Sequence, residues 1–231
     1  HTRYISVTGV QTCALPIYCY ILINKMIDLK SLYQNCCDNT SSDIFFHLPI
    51  LLQYAKKCNH ITEMGARGGN TTKTFLYANP EKFISYDYQY ATPEPHLIDD
   101  INNLISLFEE CKQIGINCKY IGADVLNVSI EETDFLFIDT WHCYDQLKRE
   151  LNLHADKAKK YIGFHDTFTF GEVGEGSPES DINHPQKNIL NGLGGIRKAI
   201  DEFLFENKNW EIAYETKENN GLIIIQNKNS I

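Results

Sequence analysis

The chain has 231 residues, 43% of them hydrophobic and 22% charged, with a formal net charge of −9, a balance that suits one globular domain with a substantial core. That acidity, with no basic patch, argues against a nucleic-acid partner. No apolar run reaches the roughly 18–20 residues of a membrane-spanning helix, so no membrane partner is expected and the cytoplasm is the expected compartment.

Val7–Ile17 (VTGVQTCALPI) is similar to the in-frame translation of a short-read sequencing adapter. Residues 1–25 are therefore expected to be an artefact or a disordered leader, Tyr18–Lys25 belonging to either side and Met26 being the expected native start. The run CALPIYCYILI imitates a signal-peptide core, but it overlaps that segment and no cleavage site comes after it. Residues 26–231 are expected to form a single domain, with a helical cap over 26–58. The eight cysteines contain no C-x-x-C and fit neither a zinc site nor a disulfide framework, so they read as free thiols.

In chain order, Leu29–Cys37 predicts a short amphipathic helix. Asn39–Asp43 is a polar turn in which Ser42 or Asp43 can cap the next helical segment. A second helix begins near Pro49 and presents Leu51, Leu52 and Ala55 on one face. Ile61–Glu63 is the first core strand; the turn Gly65–Gly69 and a helix through Thr71–Tyr77 come after it. Phe83–Tyr86 is the second strand. Ile98, Ile101, Ile105 and Phe108 mark an amphipathic helix that Gly115 stops. Asn117–Ile121 and Phe135–Ile138 are strands three and four. Tyr144–Ala158 reads as a helix with Leu147, Leu151 and Ala155 inward and its charges solvated. Tyr161–Phe164 is the fifth strand, and the glycine-rich Gly171–Gly195 reads as a lid, a binding loop or a disordered stretch. Ile196, Ala199, Ile200, Phe203 and Leu204 form a helical stripe. Trp210–Tyr214 and Leu222–Gln226, joined through Asn220–Gly221, predict a hairpin. Strands alternating with helices imply a mainly parallel α/β sheet covered on both faces, with antiparallel pairing at the C-terminal hairpin.

In such sheets ligands bind beyond the carboxyl ends of the strands. Glu63-x-Gly65-x-x-x-Gly69-x-Thr71 follows a strand and opens a helix, where glycine permits close backbone approach. Asp87, 22 residues after Gly65, ends the second strand, a place suited to ribose hydroxyls. The turn G-A-R-G-G-N matches neither G-x-G-x-x-G nor a phosphate-binding P-loop; a purely structural turn is the alternative. Asp139 ends strand four, with His142 and Tyr144 one turn on, and His165–Asp166 end strand five. Neighbouring strands would bring these groups together as carboxylate ligands for Mg²⁺, with His165 as a further ligand shifting the balance toward Mn²⁺, Fe²⁺ or another transition ion, or leave His142 or His165 as a general base. Asp139 as a helix cap, the histidines as hydrogen-bonded structural groups and Asp166–Thr167 as an ordinary turn are the alternatives.

These segments resemble a class I S-adenosylmethionine (SAM)-dependent methyltransferase. The resemblance rests on Ser42–Gly69, Phe137–Thr167 (FIDTWHCYDQLKRELNLHADKAKKYIGFHDT), Gly195–Leu204 and Glu218–Ile225, and it spans about 190 residues. The chain is similar to a subgroup related to the cephalosporin-hydroxylase-like and catechol-type O-methyltransferases. The resemblance implies a Rossmann-like seven-stranded sheet whose last strand is antiparallel. It implies SAM bound by Glu63, Gly65, Ala66, Gly69, Thr71, Asp87, Asp124 and Val125, the last two at the adenine; read alone, Asp124 is equally a turn cap. It implies Asp139 and Asp166 as metal ligands with His165 beside them, and Asp139, His142 and His165 as catalytic groups. His165–Asp166 stands where those relatives carry Asp-Asn or Glu-Asp. The implied reaction is O-methylation of a small-molecule or sugar hydroxyl, with the Gly171–Gly195 loop setting specificity. An NAD(P)-dependent oxidoreductase and a non-catalytic SAM-binding protein are the competing readings. The oligomeric state is left open, a homo-oligomer included.

Overall fold

The computed structural model describes residues 27–91, 95–176 and 194–230. The expected leader over 1–25 and most of the Gly171–Gly195 loop lie outside them. Among the described residues, a seven-stranded sheet has the order β3-β2-β1-β4-β5-β7-β6. Its strands are β1 (His60–Met64), β2 (Lys82–Asp87), β3 (Cys118–Gly122), β4 (Thr133–Ile138), β5 (Ala158–His165), β6 (Trp210–Thr216) and β7 (Leu222–Asn227). Strands β1 to β5 pair in parallel, and β7 pairs antiparallel with both β5 and β6. The expected fold class is the one observed.

The strand cores are apolar because both faces are covered, as a parallel sheet requires. Successive side chains alternate between the faces. Phe135, Phe137, Leu222 and Ile224 join the core beneath α1 (Leu29–Asp38), α2 (Leu48–Ala55), α3 (Asn70–Ala78) and α4 (Ile98–Gln113). Leu136, Ile138, Ile223 and Ile225 join the opposite core beneath α5 (Tyr144–His154) and α6 (Ile196–Glu206). Phe75 meets Phe83, Phe135 and Phe137 at ring-centroid distances of 5.5–5.9 Å, locking α3 onto two strands, β2 and β4.

Three local expectations need correction. The helix expected to reach Ala158 ends at His154; a 3-10 turn over Ala155–Lys157 reverses the chain and Ala158 opens β5. That helix does not carry only solvated charges, since Glu150 is buried. Neither Ser42 nor Asp43 caps the short helix at Phe45–His47, whose cap residue is Ile44. The Ser42 hydroxyl instead accepts the Ile44 N–H at 3.3 Å and an amide hydrogen from Asn70 at 3.0 Å, tying the cap to the start of α3.

Between β1 and β4 the strand order reverses, so loops leave in opposite directions and open a crevice at the carboxyl ends. No helix among the described residues is long and apolar enough to cross a membrane.

Candidate active site at the carboxyl ends of the strands

A cavity of about 400 Å³ opens there, with walls drawn from the end of β2 and the segments that succeed β1 to β5. The turn after β1 forms one side. Gly65 has φ +87°, and a Cβ there would lie 1.9 Å from the Asp139 carbonyl oxygen. Only glycine fits, because both the left-handed backbone and the close strand contact exclude a side chain. Gly69, at φ +76°, precedes α3, whose buried Thr71 also reaches the cavity.

Asp87 clamps this turn. Its Oδ2 accepts the N–H groups of Ala66 at 2.7 Å and Arg67 at 2.8 Å, and its Oδ1 accepts Gln89 N–H at 2.6 Å. Glu63 sits deeper, fully buried and outside the cavity wall. It accepts hydroxyl hydrogen bonds from Thr72 at 2.7 Å and Ser85 at 2.5 Å. Burial pushes its pKa up to about 7, and those hydroxyls only partly offset the cost of desolvating the charge. Ala66, Asp124 and Val125 line the cavity. Asp124 also caps the 3-10 turn Val125–Asn127, taking Leu126 N–H at 3.0 Å and the Asn127 amide at 2.8 Å.

The other side is built from charged side chains. His142 Nε2 lies 3.1 Å from Asp139 Oδ1 and 3.0 Å from Asp166 Oδ2, while its Nδ1 lies 3.0 Å from Glu175 Oε2. The His142 ring stacks on Phe170 with centroids 5.1 Å apart. His165 Nδ1 lies 3.3 Å from Asp139 Oδ1 and 3.6 Å from Asp166 Oδ2, and its Nε2 donates to the Asp43 carbonyl at 3.0 Å. Burial opposes charge on both rings, but the carboxylates prevail. Asp139 and Glu175 beside His142 raise its pKa to about 10, and Asp139 beside His165 raises that one to about 9. Burial disfavours the Asp139 carboxylate too, yet His165 and His142 hold it well below the usual carboxylate range. Burial raises Asp166, whose backbone takes φ +58°, a left-handed conformation uncommon for an aspartate.

The residues expected from sequence thus fall into two groups around one cavity, with Glu63 beneath its floor. The grouping differs in one respect: the ligand-type atoms that lie within 4.8 Å of one another belong to Asp139, His142 and Asp166, so His142 stands where the sequence pointed to His165, which adjoins the two carboxylates from outside that group. Sequence reasoning missed Glu175 as a partner of His142, because it lay within an acidic loop. It also missed the Asp43 carbonyl, which no side-chain pattern can reveal. Behind the site, Glu150 accepts from Thr140 at 2.6 Å and from the Gln146 amide at 2.7 Å, fixing two residues of the cavity wall.

No protein-family model and no curated protein matches the sequence. Solved structures do match in fold. A putative caffeoyl-CoA O-methyltransferase from Staphylococcus aureus superposes with TM-score 0.56 at 13% identity, over 91% of this chain and 98% of that one. The O-methyltransferase TomG from Streptomyces achromogenes, solved with SAM, gives 0.52 at 14% over 91% and 94%. An O-methyltransferase from Bacillus cereus, solved with S-adenosylhomocysteine, gives 0.53 at 16% over 91% and 96%. The chain therefore has the Rossmann-like fold seen in those methyltransferases.

Proposed function

We infer that the protein transfers a methyl group from SAM to a hydroxyl oxygen of a small molecule, a glycan hydroxyl included. One observation carries this reading: the glycine turn with Asp87 and Asp124, and the Asp139–His142–Asp166 cluster, border one cavity at the strand-order reversal. The glycine turn and Thr71 offer a backbone surface and the start of a helix to the cofactor's charged end. Asp124 and Val125 supply an acceptor and an apolar surface for the adenine. A methyl acceptor then lies at the Asp139 side, and fixing two reactants at attack distance supplies much of the rate.

The donor set also fits a divalent ion. Two carboxylates and two imidazoles converge, and the buried Asp166 Oδ1 has no hydrogen-bond partner among the described residues. A bound ion would hold substrate oxygens and lower the pKa of the acceptor hydroxyl. His142 would join that donor set through Nε2, with Glu175 holding the ring from Nδ1 and the hydroxyl proton passing to solvent. Phe170 keeps the ring in that orientation. Glu172 and Glu175 at the start of the loop favour a neutral or cationic acceptor over an anionic one.

Calorimetry separates this reading from its competitors. S-adenosylhomocysteine should bind and NAD should not; NAD binding with a silent S-adenosylhomocysteine titration would favour the oxidoreductase. Asp139→Asn should retain S-adenosylhomocysteine while losing methyl transfer by at least about 100-fold. Unchanged methyl transfer in that variant would remove Asp139 from the chemistry, and S-adenosylhomocysteine binding by a parent protein that transfers no methyl group would leave a binding protein without catalysis.

A further inference from the structure

Both imidazoles at the acceptor end share one arrangement. Each ties its outer nitrogen to an acceptor, Glu175 for His142 and the Asp43 carbonyl for His165, at 3.0 Å in both cases. Each turns its inner nitrogen toward the same two oxygens, Asp139 Oδ1 and Asp166 Oδ2. Histidines that bind metal are held in this way, the outer N–H donating to a carboxylate or carbonyl that fixes tautomer and orientation.

The spacing agrees. The four imidazole–carboxylate separations run from 3.0 to 3.6 Å, and Asp139, His142 and Asp166 are the three whose ligand atoms all lie within 4.8 Å of one another, with His165 adjoining both carboxylates. Donors about 2.1 Å from an ion are neighbours at about 3.0 Å in octahedral and about 3.4 Å in tetrahedral geometry. Two further observations mark the place. Asp166, with a side chain only 6% exposed, has an unpartnered Oδ1. The same residue holds positive φ, and such strain persists where surrounding structure over-determines it, commonly at functional sites.

We propose that Asp139, His142, His165 and Asp166 form a mixed imidazole–carboxylate centre that takes a late first-row divalent ion, of the cobalt and zinc class, in preference to Mg²⁺. This deepens the methyl-transfer reading, whose ion it specifies. Mg²⁺ favours an all-oxygen shell that keeps several waters. Imidazole nitrogens favour the later first-row ions, whose affinities rise from Mn²⁺ onward. A site with two nitrogens at the inner face therefore discriminates by donor type.

The probe is Co²⁺, added to the metal-stripped full chain with S-adenosylhomocysteine binding measured in parallel. Co²⁺ and Zn²⁺ should each bind at least about 100-fold more tightly than Mg²⁺. Co²⁺ should develop a visible d–d spectrum distinct from the hydrated ion. His142→Gln and His165→Gln should each weaken Co²⁺ by at least about 10-fold and alter that spectrum. Mg²⁺ binding as tightly as Co²⁺, a hydrated-ion spectrum, or a spectrum indifferent to both histidines would overturn the proposal and leave an ion-pair cluster. Should the histidine variants misfold, Glu175→Gln serves. It should cost about 10-fold in Co²⁺ affinity, and an unchanged affinity would overturn the proposal. Retained S-adenosylhomocysteine binding without metal preference removes this proposal alone. Silent S-adenosylhomocysteine with Co²⁺ held by both histidines removes the methyl-transfer reading and leaves the metal centre standing.

Discussion

At the proposed nucleoside end of the cavity Asp87 commits both carboxylate oxygens to backbone N–H groups of Ala66, Arg67 and Gln89, whereas at the proposed acceptor end Asp139 and Asp166 face imidazole rings. The first end is a shaped piece of main chain held by one acidic side chain. The second is an assembly of charges contributed by two strand ends and the segments just beyond them. A backbone site tolerates side-chain change but not a change of path; a side-chain site has the opposite sensitivity.

Substitutions can break or sharpen that contrast. Gly65→Ala should have the largest effect, since its methyl would strike the Asp139 carbonyl at 1.9 Å in a left-handed backbone. A loss on the order of 3 kcal/mol is expected, and chemical denaturation with S-adenosylhomocysteine calorimetry should show both ends impaired. A retained acceptor-end response with only the nucleoside end damaged would show that the two are less connected than the strand contact implies.

Asp87→Asn comes next. The isosteric amide keeps the volume but loses a charge-assisted acceptor of three N–H groups, which should cost about 2 kcal/mol. S-adenosylhomocysteine affinity should fall while metal binding at Asp139 and Asp166 stays intact. Equal loss at both ends would deny that the nucleoside end is independently built.

The smallest effect concerns Glu63. Its folded pKa of about 7 lies above the ordinary 4.5, so the folded chain binds a proton there that the unfolded chain has released. The stability this lends is full below about pH 4.5 and is lost as pH rises through 7, at no more than about 1.4 kcal/mol per pH unit. Glu63→Gln should flatten the thermal-melting profile across that window relative to the parent protein. Parallel profiles would refute a protonated Glu63 beneath the turn.

The nucleoside end was the more legible from sequence for the same reason that it is backbone-built. Gly65, Gly69 and Asp87 lie close along the chain, and their residue types announce the turn they form. The sheet was legible too, because buried runs such as Phe135–Ile138 and Leu222–Ile225 admit few alternatives. The acceptor end required two strand ends to become neighbours, which made Asp139, His165 and Asp166 candidates without fixing their partners. Glu175 sits in an acidic loop indistinguishable from a solvated one, and its contacts with His142, backbone N–H to carbonyl at 2.9 Å and Oε2 to Nδ1 at 3.0 Å, bring it in. Glu150 looked like surface charge because helical periodicity reports the apolar stripe and says nothing of a buried polar neighbour. The end of α5 was misplaced because Ala155 and Ala158 prolong the stripe past the turn that breaks the helix.

The hairpin tip at Asn219–Asn220 reaches across the fold. Its Asn219 carbonyl accepts from His47 Nε2 at 2.9 Å, and its Asn220 carbonyl accepts the Phe168 N–H at 2.8 Å. Phe46 and Asn219 stand 173 positions apart and are joined through the Asn219 amide oxygen. On a ribosome, the N-terminal cap must therefore wait for almost the whole domain to emerge before this clasp can shut. Closing so wide a loop delays its contacts relative to local ones, which places completion of the pocket's rim among the last events of maturation.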